Sequence, residues 1–192
     1  MSEIEDLVKR LGDVISIGEG GYESYNTGTK GVLGERIGHS FVHPPTGTVT
    51  SKTINQILAT NVLSGRDPNR MFATGKYQTI IPTLTAAKAK LGLSGDERYG
   101  AELQERVFRE FLLPKREKLA KFVFDGVGTV DDAQYAAAKE WASIGVPLGR
   151  ADQNGITSNG YRSYYEKPGT NSASRVTTQE LRELLIEIQN LH

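Results

Sequence analysis

The chain has 192 residues, 38% of them hydrophobic and 24% charged, with 23 Lys plus Arg against 23 Asp plus Glu. Those values suit a single soluble globular domain, residues 1–192, and the balanced charge excludes a whole-molecule attraction for nucleic acid or an anionic membrane, leaving room only for a local basic patch. With no cysteine, a disulfide, a thiolate nucleophile and a cysteine-held metal are all excluded.

The first residues, MSEIEDLVKRLGDVISIG, carry acids before the first basic residue and no long apolar run. They read as neither a secretory signal nor a membrane span. Ser2 and Glu5 have the spacing of a capping box, and Ile4, Leu7, Val8, Leu11, Val14 and Ile15 follow at helical period, so a first helix is predicted to about Gly18. From Tyr22 to Gly47 that period is lost among recurrent glycines; turns and a small hairpin are expected, with RIGHSFVH as the strand candidate before PPTG.

Thr50 and Ser51 can cap a second helix carrying Ile54, Ile57, Leu58 and Val62, and SGRDPNR reads as the loop that ends it. Pro82 suits the first turn of a helix that closes at LGLSG with Gly92 as its C-terminal cap. GAELQERVFREFLL places Leu103, Val107, Phe108, Phe111 and Leu112 on one face, with Pro114 as a break and a basic continuation to Phe124. Asp131 or Asp132 opens an alanine-rich helix through Trp141, and Thr177 with Glu180 makes another capping box before Leu181, Leu184, Leu185 and Ile188. Between these two helices, Gly145 to Ser174 is longer than an ordinary connection, hence functional or mobile. The predicted class is α+β, mainly α-helical, with a small β-hairpin or sheet.

Glu19 falls where the first helix ends, beside the negative end of its dipole, and Ile15 and Ile17 stand near enough in sequence to desolvate it. Two readings follow: a solvated acid at a helix end, or a carboxyl with a raised pKa suited to general acid work. The stretch RMFATGKYQTIIP offers Tyr77 and Gln78 either as cleft lining or as a turn with Tyr77 in the core. It fails as a phosphate loop, because Tyr77 stands where serine or threonine is needed and Arg70 where the first glycine belongs. His39 and His43 lack a third ligand nearby, Asp152 and Asn154 carry only the start of a calcium loop, and no serine is marked as a nucleophile. Neither a metal nor a cofactor is expected, and KREKLAK reads as a solvated helix face.

Taken together, GEGGYESYNTG, FATGKYQTIIPTLTAAKAKLGL and AAAKEWASIG resemble the lysozyme-like phage endolysins, most closely the bacteriophage lambda endolysin group of lytic transglycosylases. The matching elements are Glu19 at the end of the first helix, Gly75 to Gln78 with Leu91 to Leu93, and Trp141 to Ser143, spread over roughly residues 4 to 146. The stretches Tyr22 to Thr50 and Asn154 to Ser174 do not follow the lambda pattern. The similarity extends to muramidase domains of secreted antibacterial effectors.

This resemblance implies a lysozyme-like fold and cleavage of the β-1,4 bond between N-acetylmuramic acid and N-acetylglucosamine in peptidoglycan, with Glu19 as the catalytic acid. A transglycosylase needs that one carboxylate; a hydrolase needs a second, for which Glu23, Glu35, Asp67 and Glu140 are candidates, with Thr50, Ser51 and Thr53 as polar groups able to hold water. Substrate contacts are expected from Tyr25 and Asn26, from Tyr77 and Gln78, and from Tyr164 or Tyr165, with rings packing on sugars and amides binding acetamido groups. Trp141 is expected in the core. The partners implied are glycan strands and, for an effector, an immunity or delivery protein, with a monomer as the default and no stable membrane insertion. Synthesis in the cytoplasm without a signal peptide and action in the periplasm of a Gram-negative cell complete the expectation. A glycan-binding module and an adaptor domain stand as the competing classes.

Overall fold

The computed structural model describes residues 3–28, 38–167 and 172–192. Their architecture is α+β, mainly helical with a small antiparallel sheet. Within the length read as one domain, the backbone gathers into two compact units: residues 1–19 with 112–192, and residues 20–111. Ser2 of the expected capping box and the acid candidate Glu35 lie outside the described residues, as do the first two residues of RIGHSFVH.

The first unit is built on four helices: α1 (Glu3–Glu19), α6 (Glu117–Asp125), α7 (Val130–Ala138) and α8 (Arg175–Leu191). Helix α1 packs on α6 and α8, and α7 packs on α6 and α8. Their shared core includes Leu7, Leu11, Ile15, Leu119, Phe122, Ala137, Trp141, Leu181, Leu185 and Ile188, all buried. Full burial of each large aliphatic side chain stabilises by roughly 1.5–3 kcal/mol. Ile17, expected to shield Glu19, is 54% exposed. Two residues on from Ile15 is about 200° around a helix, so the two isoleucines point to opposite faces. Ile4 is also exposed, in the first turn.

Three helix starts differ from the sequence expectation, each through a competing cap. Thr129, rather than Asp131 or Asp132, caps α7, its hydroxyl accepting from Asp132 N at 3.1 Å. That helix ends at Ala138, so Trp141 sits in the turn beyond it. Ser174 caps α8, accepting from Thr177 N at 3.1 Å, which moves Thr177 inside the helix, where it is buried. A short hairpin, β5 (Gly145–Val146) with β6 (Arg162–Ser163), organises part of the long polar stretch, and Asp152 pairs there with Arg162 at 2.7 Å.

In the second unit a four-stranded antiparallel sheet runs in the order β2 (Ser40–Phe41), β1 (Tyr25–Asn26), β3 (Ala73–Thr74), β4 (Thr79–Ile80). The antiparallel pair expected between Tyr22 and Gly47 is present as β1 with β2, whose Ser40–Phe41 lies in RIGHSFVH, and the sheet is extended by β3 and β4 from ATGKYQTI, where Tyr25 pairs with Thr74. Helix α2 (Ile54–Ala59) is capped by Thr53 with Gln56 in a reciprocal box, displacing Thr50 and Ser51 from that role. Those two hydroxyls have other partners, Glu23 and the Gly47 carbonyl. Val62 falls past α2 in a 3-10 turn and is 89% exposed, so it does not share the helix face expected of it.

Helix α3 (Ile81–Lys90) starts with proline in its first turn and closes at Gly92, whose φ of +63° is the left-handed cap conformation. Helix α4 (Ala101–Val107) runs into a π-helical turn, Phe108–Leu112, rather than one uninterrupted α-helix. Pro114 does not break the chain: it stands in the first turn of α5 (Leu113–Lys115), where a missing N–H costs nothing, and the break comes at Arg116. Among the described residues, no helix is long and apolar enough to cross a membrane.

Candidate functional site

Glu19 is the last residue of α1 and is half-buried. One carboxylate oxygen, Oε1, accepts two hydrogen bonds from Ser143: the backbone N–H at 3.2 Å and the hydroxyl at 2.6 Å. Oε2 accepts none among the described residues. Burial pushes the Glu19 carboxyl above the ordinary carboxylate range, and the two Ser143 donors recover only part of that shift. The carboxyl therefore holds its proton to higher pH than a solvated glutamate, as a general acid must.

The local chain explains how a serine reaches this oxygen. Gly18 precedes the acid, and a Cβ built there would lie 2.6 Å from Ser143 Oγ and 2.8 Å from Thr177 Oγ1. Only glycine leaves that space free. Ser143 is itself 7% exposed, two residues after the buried Trp141. Its carbonyl accepts from Ser174 N at 2.7 Å, which ties it to the start of α8.

The second unit holds Tyr25, Asn26, Tyr77 and Gln78. Asn26 Nδ2 donates to Gln78 Oε1 at 3.0 Å, and Gln78 Nε2 donates to the carbonyls of Ser24 at 3.2 Å and Gly75 at 2.9 Å. Gln78 takes φ of +44°, a left-handed conformation rare outside glycine and held here by those bonds. The pair keeps one Asn26 N–H and one lone pair on each amide oxygen for a ligand. Tyr25 is 8% exposed, stacks on Phe41 at 4.6 Å and donates from its hydroxyl to Pro68 O at 2.8 Å.

Tyr77 is a core residue, 2% exposed, with its ring stacked 4.3 Å from Phe108. The expected packing of Tyr77 against a sugar face is corrected accordingly. Its hydroxyl donates to Glu105 at 2.7 Å, where Tyr22 also donates at 2.6 Å and the Lys76 ammonium at 2.8 Å. Burial would raise the Glu105 carboxyl, but Lys76 and the two hydroxyls outweigh it and hold the carboxyl below its usual range. Gln104, buried one residue earlier, bonds Lys76 N and the carbonyls of Tyr22 and Tyr99. Glu105 and Gln104 thus fasten the ATGKYQ turn, a role hidden in what reads as an ordinary amphipathic helix.

Tyr164 and Tyr165 belong to the first unit and meet Tyr135 in an edge-on cluster: Tyr164 lies 5.9 Å from Tyr135 and 5.1 Å from Tyr165. The Lys139 ammonium stands 4.2 Å above the Tyr135 ring and 5.6 Å from that of Tyr164. Tyr165 is tied down, its hydroxyl donating to Lys139 O at 2.5 Å.

No protein-family model, curated protein or solved structure matches the chain.

The other acids are committed elsewhere. Glu23 accepts from Gly47 N, Val49 N, Thr50 N and the Thr50 hydroxyl; burial would raise it, and those donors hold it below its ordinary range. Glu140 is paired with Lys115 at 2.9 Å and Arg116 at 2.6 Å, its side chain 8% exposed. Asp67 accepts from the backbone and side-chain nitrogens of Asn69 in a turn. Asp152 accepts from Asn154 N and Ile156 N besides Arg162, so the fragment read as the start of a calcium loop is an Asx-type turn closed by an ion pair. Among the described residues no three His, Asp or Glu side chains are grouped to hold a metal ion.

Ser143 is the residue that reading the sequence missed. It stands in the quoted AAAKEWASIG segment, but a contact between residues 124 positions apart has no local signature.

Proposed function

We propose that this chain cleaves the β-1,4 bond between N-acetylmuramic acid and N-acetylglucosamine in peptidoglycan, acting as a lytic transglycosylase with Glu19 as general acid and then base. The observation that supports this is the state of Glu19: half-buried, with a raised pKa, one oxygen engaged by Ser143 and the other unengaged among the described residues. The proton on Glu19 passes to the glycosidic oxygen as the bond to the anomeric carbon breaks through an oxocarbenium-like state. The carboxylate then takes the proton of the muramic acid 6-hydroxyl as that oxygen bonds to the anomeric carbon, leaving a 1,6-anhydro product and the acid restored.

One carboxylate suffices for that sequence. The hydrolytic alternative needs a second acid to position water; Glu23 and Glu140 have both oxygens held by backbone and hydroxyl donors or by cations, Asp67 has Oδ1 held in its turn with Asn69, and Glu35 lies outside the described residues. The Asn26–Gln78 amide pair and Tyr164 are the residues we assign to substrate binding, the first through its open amide sites. A lysozyme-like fold belongs to the same proposal, supported by the order of elements: a first helix ending in glutamate, a small antiparallel sheet, then further helices. Within this reading the site of action is the peptidoglycan layer, in the periplasm of a Gram-negative cell.

The test is mass spectrometry of soluble products from purified sacculi digested by wild type and by Glu19→Gln. Anhydro-muropeptides that vanish with Glu19→Gln are expected. Reducing-end muropeptides would replace the transglycosylase by a hydrolase, and an absence of fragments from wild type would leave a binding or adaptor module.

A further inference from the structure

Two donors on a single oxygen of an acid settle more than its affinity for a proton. A neutral carboxyl has one O–H oxygen, which donates, and one carbonyl oxygen, which accepts. Ser143 brings its N–H and its hydroxyl to Oε1 alone. We propose that Ser143 is the positioning residue of the catalytic acid, holding Oε1 as the accepting oxygen so that Oε2 carries, delivers and recovers the proton. This rests on the reading of Glu19 as a general acid.

The surroundings are built to hold that arrangement. Ser143 cannot withdraw easily: Trp141 and Ile144, on either side of it, are buried at 2% and 0% exposure, and its carbonyl is bonded to Ser174 N at the cap of α8. Gly18 leaves space for the serine side chain, which any Cβ at that position would crowd. When Oε2 gives up its proton, the new negative charge is shared with Oε1, where both donors already point, so no group has to reorient as the charge develops. The same donors return the carboxylate to a single orientation before it takes the 6-hydroxyl proton in the second step.

Among the described residues no charged group is hydrogen-bonded or paired to Glu19. Burial and the two Ser143 donors account for the titration of Glu19. Arg175, the cation that opens α8, lies over the Tyr161 ring at 4.7 Å, and Glu140 is paired with Lys115 and Arg116.

The experiment is a titration of the Glu19 carboxyl carbon by NMR in glutamate-labelled full-length protein, with Glu19→Gln supplying the assignment. Ser143→Ala removes a hydrogen bond to the ionised form, so the Glu19 midpoint should rise by roughly one pH unit. Ser143→Cys, a weaker donor, should give a smaller rise, and Gly18→Ala, which displaces the serine without removing it, a rise in the same direction. On sacculi, the alkaline limb of cleavage by Ser143→Ala should move upward with the midpoint. An unchanged Glu19 titration in folded Ser143→Ala and Gly18→Ala would overturn the role of Ser143 and leave the catalytic reading intact. A wild type that titrates as expected but cuts no sacculi would instead overturn the catalytic reading beneath it.

Discussion

Two glutamates, Glu19 in the first unit and Glu105 in the second, are both partly withdrawn from water and both hydrogen-bonded, yet they are shifted in opposite directions. Around Glu19 the donors are a serine hydroxyl and one backbone N–H, both neutral. Around Glu105 they are two tyrosine hydroxyls and the ammonium of Lys76, whose side chain is 7% exposed. Neutral donors on one oxygen do not make up for lost hydration, whereas a buried cation does. One environment keeps a proton available, and the other fixes a charge in place to hold a turn.

The largest expected consequence separates the two by activity. Glu19→Gln should lower sacculus cleavage by about 10²- to 10⁴-fold, the range of a lost general acid, as read by release of soluble muropeptides. Because ionising Glu19 in the folded state is unfavourable, the same variant should be more stable than wild type at neutral pH, read as a rise in Tm. A wild-type rate in this variant would end the contrast as a catalytic one.

Lys76→Met is the next largest effect and acts on the other carboxylate. It removes the cation from a pair whose glutamate side chain is still 32% exposed, so the cost, reduced for solvent screening, should be about 2 kcal/mol in urea denaturation. If the variant is as stable as wild type, Glu105 is held by its tyrosines and the cation is incidental.

The two acids also predict opposite slopes with pH. The folded pKa of Glu105 is depressed, so its contribution is present above the unfolded value near 4.5 and is lost as pH falls through the lower, folded value. The folded pKa of Glu19 is raised, so stability declines as pH climbs from that same unfolded value through the higher, folded one. Denaturation across pH should therefore show Glu105→Gln flattening the acid limb and Glu19→Gln flattening the decline above it. If both variants altered the same limb, one of the two assignments would fail.

Gly18→Ala should destabilise by about 1–3 kcal/mol, the usual cost of forcing extra volume into a packed site, measured by thermal unfolding. Thr53→Ala, outside both glutamate environments, should cost about 1 kcal/mol through the lost α2 cap. A larger loss from Thr53→Ala than from Gly18→Ala would show that the end of α1 relaxes away from Ser143.

Sequence patterning found the helical regions because apolar spacing is a local property: α1, α2 and α8 stand where Leu7 to Ile15, Ile54 with Ile57, and Leu181 to Ile188 placed buried faces, and α3 follows Pro82, whereas the buried face of α6 at Leu119 and Phe122 lay in and just after what read as a solvated basic run. It misplaced helix starts, because Ser174 and Thr177 are equally competent hydroxyls and only the path of the incoming chain chooses between them. The end of α1 at Glu19 and the cap at Gly92 were likewise legible, since the loss of helical period and a glycine suited to a left-handed φ are local features of the chain. What the tertiary structure alone decided is who meets whom. Ser143 reaches Glu19 across 124 positions, Tyr77 turns inward onto Phe108, and Lys76 finds Glu105. Residue type names the groups able to carry a proton or a charge, but the balance of desolvation and donors that sets which form survives depends on neighbours that only folding brings together.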